Sequence, residues 1–173
     1  MNLIITCQRN LEEPTILEIQ NMLERFGDIE SIVEKSIFSG IILVDTRLDI
    51  IKVLDNFKEI IEDEPWLIKY CSRIIPIQVE CESKLDEIKD KVNSLSDTIK
   101  KNDTYRITVE KRQSSIHTSE IISNIADLFS NKVSLENSDW EIIIQVLRDK
   151  TGISILPPNT IVSVDRQKRI ELD

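Results

Sequence analysis

Glycine is scarce in this chain, with 3 among 173 residues, and only 5 prolines accompany them. Little material is therefore present for flexible linkers or for a glycine-rich loop that wraps a phosphate. Histidine is rarer still, since His117 is the only one. The 3 cysteines, Cys7, Cys71 and Cys81, lie far apart and form no C-x-x-C pair. A structural zinc site draws on four soft ligands, usually in close pairs, so no metal is expected and the thiols read as free and buried. No apolar run nears the roughly 20 residues needed to cross a bilayer. The opening MNLIITC is strand-like and is not a basic stretch followed by an apolar core and a cleavage site. A cytoplasmic protein without a membrane partner is the expectation.

These absences also narrow the chemistry. There is no G-x-G-x-x-G, no P-loop and no H-x-E paired with C-x-x-C. With one histidine and no conspicuous nucleophile–base spacing, neither a cofactor nor a catalytic residue is expected.

What is present is the composition of a folded protein: 40% hydrophobic and 31% charged residues, enough for one generous domain or two small ones. The net charge of −9 argues against an indiscriminate nucleic-acid binder. It leaves room for a local patch, because screening confines a charge's influence to about 8–10 Å. The acid excess sits mainly in the first half: residues 1–75 hold 8 Lys/Arg against 14 Asp/Glu, and residues 76–173 hold 14 against 17.

The first half alternates strand and helix patterns. Leu3–Cys7 reads as a strand. Pro14 opens an amphipathic helix that presents Ile16, Ile19, Met22, Leu23 and Phe26 at helical spacing and stops at Gly27. Ser31–Lys35 and Gly40–Asp45 read as strands joined by a turn at Ser39–Gly40. A helix from Leu48 to Glu62, burying Ile51, Leu54 and Ile61, ends before Pro65, and an extended stretch, Leu67–Cys81, follows. The order β-α-β-β-α-β is ferredoxin-like, a fold that hosts many activities. The second half starts with a helix over Lys84–Lys101. A strand over Thr104–Arg112 follows, then a helix capped by Thr118 or Ser119 that carries Ile121, Ile122, Ile125 and Leu128. Strands at Trp140–Leu147 and Ile153–Leu156 come next, and Thr160–Val164 is a candidate last strand.

The residues of this second half resemble a known family. The strand ending in Lys111–Arg112, the Ser/Thr-capped helix after it, and Val133-Ser-Leu-Glu-Asn-Ser-Asp139 before an apolar strand look like a THUMP domain, the RNA-binding module of several tRNA-modifying enzymes. In that family the last motif often reads V-D-L-x-N-P-D, so Ser134 and Ser138 are departures. A ferredoxin-like domain leading into THUMP is the usual arrangement. Ile4-Ile-Thr-Cys-Gln-Arg9 with Glu12 after it, Phe38-Ser-Gly-Ile-Ile-Leu-Val44 and Arg73-Ile-Ile-Pro-Ile77 resemble one branch in particular, the stand-alone THUMP adaptor of tRNA N4-acetylcytidine formation. The resemblance implies an α+β protein with a ferredoxin-like domain over 1–80 and a THUMP domain over 81–173. It implies a non-enzymatic adaptor that binds tRNA at its acceptor end and presents it to a separate tRNA acetyltransferase or other modification enzyme. An interaction subunit with little RNA affinity of its own is the alternative, and the oligomeric state stays open.

RNA binding needs cations near phosphates and polar groups near exposed bases. Lys100, Lys101 and Arg106 mark the entry of the Thr104 strand, and Lys111 and Arg112 mark its exit. Lys132 with Arg148 and Lys150 would complete a patch if the fold gathers them, and Arg166, Lys168 and Arg169 form a C-terminal cluster whose plain reading is a frayed tail. Lys111 and Arg112 are favoured, because Gln113, Ser114 and Ser115 follow them just ahead of a helix N-terminus, a natural phosphate site. His117 is expected to be merely exposed. Tyr105 and Trp140 are expected to pack in the core or at a domain interface, with stacking on a base as the alternative, and Trp66 is expected between the two halves. Glu12–Glu13 and Glu62–Asp63–Glu64 read as solvated acids, with a basic partner protein as the alternative.

Overall fold

A computed structural model describes residues 1–170. The chain forms two compact units: Met1–Pro76 together with the segment from Asn159 onward, and Ile77–Pro158. Each has its own sheet and hydrophobic core.

The first unit contains β1 (Leu3–Cys7), α1 (Glu12–Arg25), β2 (Ile32–Lys35), β3 (Ile41–Asp45), α2 (Ile50–Asp63) and β4 (Cys71–Pro76). Its antiparallel sheet runs β2-β3-β1-β4, the ferredoxin-like order, with the short β9 (Val162–Ser163) added beside β4. Alternate strand residues Leu3, Ile5, Ile42, Val44 and Ile74 face Ile19 and Leu23 of α1 and Val53, Leu54, Phe57 and Ile61 of α2. The helix ends follow local chemistry. The Asp49 carboxylate accepts from the Ile51 and Lys52 amides at 3.0 Å each, and Gly27 adopts φ +106 where α1 stops. Pro14 does not open α1; the helix begins at Glu12, and the proline occupies its first turn, where no backbone donor is needed. Ile51, expected inside, lies in the first turn of α2 and is exposed, and its neighbours Val53 and Leu54 are the buried pair.

The second unit contains β5 (Val79–Glu82), α3 (Leu85–Ser94), β6 (Tyr105–Arg112), α4 (Thr118–Ala126), β7 (Trp140–Leu147) and β8 (Lys150–Leu156). The sheet order is β5-β8-β7-β6, antiparallel except that β6 and β7 run parallel across the α4 crossover. Ile142, Ile144, Val146, Ile153 and Ile155 pack with Ile88 and Val92 of α3 and Ile121 and Ile125 of α4. Tyr105 belongs to this core as expected, its ring 5.1 Å from that of Phe129. α3 ends at Ser94, short of the expected Lys101, and a 3-10 turn at Ser96–Thr98 leads on. α4 is capped at His117, one residue before the expected cap, and Ile122 faces outward.

The units differ from the expected 1–80 and 81–173 division in two respects: the stretch expected as one extended segment, Leu67–Cys81, is divided, with β4 in the first unit and β5 in the second and the boundary after Pro76, and the C-terminal segment changes unit. The C-terminal segment leaves the second unit and joins the first, where Arg73 pairs with Ser163 and Ile74 with Val162. α5 (Val164–Ile170) then packs on the first core through Val164. The physical reason is the β4 edge, which would otherwise present unpaired backbone groups.

Candidate nucleic-acid interface

β6 and β7 bring their carboxyl ends to the same edge of the second sheet, with Arg112 level with Leu147. In α/β sheets, ligands bind beyond the carboxyl ends of parallel strands, where the following helix offers its N-terminus. Here that edge gathers Lys111 and Arg112 from β6, Arg148 and Lys150 from the β7–β8 hairpin, and Lys84 at the start of α3. Arg148 and Lys150 line a groove of about 450 Å³ with Glu82, Ser83, Lys84 and Asp149. Two residues of left-handed backbone, Gln113 (φ +50) and Arg148 (φ +51), hold the edge together. The Arg148 amide donates to the Arg112 carbonyl at 3.0 Å, and its guanidinium donates to the Gln113 side-chain oxygen.

The favoured pair, Lys111 and Arg112, does not act as one hook. Successive strand residues point to opposite faces. Lys111 shares the face of Tyr105, Ile107 and Val109 and donates its ammonium to the Ile116 carbonyl at 2.7 Å, at the approach to α4. Arg112 shares the face of Arg106 and Thr108, is half-buried, and has no side-chain hydrogen bond or ion pair among the described residues. Lys84 and Lys150 are exposed and already have acidic neighbours, Glu82 at 2.6 Å and Glu80 at 3.9 Å. Such exposed pairs are worth little and exchange readily for a phosphate.

The N-terminus of α4 is not vacant either. The Glu120 carboxylate accepts from the His117 amide at 3.2 Å, the position a phosphate would want. His117 itself is exposed, as expected.

Other expected members fall elsewhere. Arg106 is turned into structure: its guanidinium grips the buried Glu141 carboxylate, with Nε at 3.1 Å, and also reaches the Leu135 carbonyl at 3.4 Å. Thr108 donates to the second Glu141 oxygen at 3.0 Å, so this carboxylate is fully committed. Lys132 sits at the opposite end of β6, where its carbonyl accepts from the Tyr105 amide at 3.2 Å. Lys100 and Lys101 are at that end too, about 23 Å from Arg112 along the strand and well beyond a Debye length. Arg166, Lys168 and Arg169 belong to α5 in the first unit and are no frayed tail. Lys168 donates to the Ile68 carbonyl at 2.6 Å, Arg166 borders a surface depression, and Arg169 is exposed.

The Val133–Asp139 segment proves to be a clamp. The Asp139 carboxylate accepts from the Thr104 amide at 2.8 Å and from its hydroxyl at 3.0 Å, and Trp140 donates its indole N–H to Asp103 at 2.9 Å. That indole bond, followed by the Lys100 amide, draws the Asp103 carboxyl below the usual carboxylate range. Ser138 buries a hydroxyl that meets no partner. Trp140 is half-buried and packs against the second core.

Two acids are buried, and one of them, Glu12, was expected in solvent. Glu12 accepts from the Gly40 amide at 2.6 Å, which chiefly lowers its carboxyl from the ordinary range. Glu18, singled out by nothing in the sequence, collects the amides of Lys69, Tyr70 and Cys71 at 2.6, 3.1 and 2.9 Å. Among the cysteines only Cys71 is buried, while Cys7 and Cys81 are partly exposed; all are free, and burial raises each thiol, Cys81 to about 11. No cluster of three or more potential metal ligands occurs among the described residues. No helix among them is long and apolar enough to cross a membrane.

Comparison with known proteins bears on the domain and the fold. The sequence model of the THUMP domain matches residues 82–156, which are nearly the whole second unit. An uncharacterised protein of Methanocaldococcus jannaschii is 26% identical over 98% of this chain, but the match covers 44% of that protein. The chain thus spans under half the length of the curated relative it matches. Among solved structures, the Pyrococcus horikoshii protein PH1313 aligns over 91% of this chain and 55% of its own, with a TM-score of 0.65 at 16% identity. A 4-thiouridine synthetase, solved with RNA and bound ATP, aligns over 94% of this chain and 42% of its own, with a TM-score of 0.56 at 14% identity. At these identities the structural likeness speaks to the fold.

Proposed function

We propose that the chain binds tRNA through the carboxyl edge of β6 and β7 and presents it to a separate modification enzyme. A tRNA cytidine N4-acetyltransferase is the partner that the sequence resemblance favours. One observation carries the reading: a THUMP-matching unit gathers Lys111, Arg112, Arg148 and Lys150 at one sheet edge, with a half-buried, unpaired Arg112 among them. Guanidinium groups suit phosphate because they form two parallel hydrogen bonds to it. The protein's part in catalysis is then to position the substrate against another active site.

Titration with folded tRNA at increasing salt tests this. For about 3–5 phosphates neutralised, log K should fall against log salt with a slope of roughly −2 to −4. Arg112→Ala should weaken binding more than Lys111→Ala, because the lysine ammonium is already spent on Ile116. Removing the single-stranded 3′ end of the tRNA should cost affinity as well. Absent or salt-insensitive binding sinks the proposal. The net charge of −9 favours a second reading, an interaction subunit with little RNA affinity of its own. A complex with the enzyme that forms while tRNA affinity stays at the enzyme's own level would support that alternative.

A further inference from the structure

On the first unit, α1 and the turn after α2 enclose an open groove of about 400 Å³ lined by Pro14, Leu17, Asn21, Trp66, Lys69 and Tyr70. Its apolar walls are conspicuously exposed: Leu17 and Trp66 are each 62% accessible and Tyr70 38%. Trp66 was expected to be packed, and it is not. Local geometry explains why. Pro65–Leu67 forms a 3-10 turn, Ile68 is fully buried, Leu67 leans on the core, and Trp66 is left pointing out. Glu18 then pins the segment by accepting hydrogen bonds from the amides of residues 69–71. The indole and phenol are thus presented on fixed backbone, and little ordering entropy would be lost when something covers them.

The surroundings decide what that is. Glu13, Leu17, Asn21 and Glu24 lie along one face of α1 at helical spacing, and Glu62 and Asp63 end α2 just ahead of Trp66. Those four acids are exposed, and Glu64 is taken by Arg25 at 2.5 Å. Lys69 is the lone cation in the lining. A nucleic acid laid on this groove would bring phosphates against the acids, which opposes binding. A second copy of the chain docked about a two-fold axis would oppose two acidic rims. A basic polypeptide segment meets both requirements, since its cations satisfy the rim and an apolar side chain fills the groove.

We infer that the Leu17–Trp66–Tyr70 groove is a docking site for a basic segment of the modification enzyme, carrying a leucine or aromatic anchor between lysines or arginines. This rests on the reading that a separate polypeptide supplies the chemistry. RNA and partner then occupy different units: the cationic sheet edge takes phosphate, and the acidic, aromatic groove takes protein.

The test uses the full chain and three synthetic helical peptides: one of lysines with leucine and phenylalanine anchors, one with the anchors changed to serine, and one with the lysines changed to glutamate. The indole resonance of Trp66, assigned by comparison with Trp66→Phe, is followed by 1H–15N NMR. Only the first peptide should shift it with saturation. Trp66→Ala and Leu17→Asp, both at exposed positions, should each weaken that binding by roughly 10-fold or more. Glu13→Lys with Asp63→Lys should weaken it while leaving the fold intact. Equal binding of the serine peptide would reduce the groove to charge attraction and overturn the proposal. So would a shift caused by a single-stranded oligouridine, which would make Trp66 a base-stacking platform, or no shift with any peptide. Both groove variants should keep wild-type tRNA affinity. Failure of the wild-type protein to bind tRNA would remove the RNA reading and leave the groove result standing.

Discussion

At the scale of single residues, several side chains that look like functional polar groups are structural. Arg106 is the clearest. Its partner Glu141 is buried, and removing one member of such a pair strands the other charge. Arg106→Ala should therefore cost about 2–4 kcal/mol of stability. Urea unfolding measures it, and a loss below about 0.5 kcal/mol would return Arg106 to the candidate cations as a surface residue. Ser138 is the opposite case, because its buried hydroxyl meets no partner. Ser138→Ala should be neutral or stabilise by up to about 1 kcal/mol, and the same titration decides it.

Gly40 has φ +75, and a Cβ there would lie 2.6 Å from the Cys7 carbonyl oxygen. The backbone, not only the left-handed conformation, forbids a side chain. The Gly40 amide also serves Glu12, so this turn, read in the sequence merely as Ser39–Gly40, carries a buried carboxylate. Burial of Glu12 and Glu18 was illegible because each is satisfied by amides distant in sequence, and periodicity gives no sign of a polar residue that folds inward. Ile51 and Trp66 fail for the converse reason: hydrophobicity predicts burial on average, while the first turn of a helix and a 3-10 turn leave particular positions outside.

At the scale of elements, the strands and most helices were legible because two periods, 2 and 3.6, run cleanly through the apolar residues. α5 was missed, as its polar sequence has Val164 alone in the core. The clustering of Lys100–Arg112 was misleading for a simpler reason. A strand separates its ends, so a local charge excess in sequence becomes two patches in space, and its alternation puts Lys111 and Arg112 on different faces. The crossover element makes a sharper prediction. Glu120 holds the anion position at the N-terminus of α4. In Glu120→Gln the side-chain oxygen still caps the His117 amide, but a negative charge beside the cationic edge is gone. tRNA affinity should rise, by about 2- to 5-fold at low salt, and the gain should shrink as salt is added. Unchanged or weaker binding at low salt would mean that the RNA path does not pass this helix end.

At the scale of the whole molecule, acidity and charge placement set the response to pH. Glu12 and Asp28 are both held below the ordinary carboxylate range, the first mainly by the Gly40 amide and the second mainly by the Thr46 hydroxyl. Depressed carboxyls stabilise the fold above their unfolded values, near pH 4, and that contribution disappears as pH falls through the folded values. Unfolding midpoints should be flat from about pH 7 to 5 and drop below about pH 4, with Glu12→Gln making the drop shallower. A steeper drop in the variant would contradict the assignment.

Chain path matters at this scale as well. The return of the C-terminal segment to the first sheet was the least legible feature, because Thr160–Val164 reads as a strand in either unit and only the β4 edge decides its partner. Val162 and Val164 are fully or almost fully buried in the first core. Aspartate at either position places an unpaired charge there and should cost at least about 3 kcal/mol. Hydrogen exchange tells where that cost falls. Amides of β1, β4 and α2 should lose protection in Val164→Asp, while those of β6 and β7 keep theirs under conditions short of global unfolding. Loss beginning in β6 and β7 would instead assign the last segment to the second unit, where the sequence alone had put it.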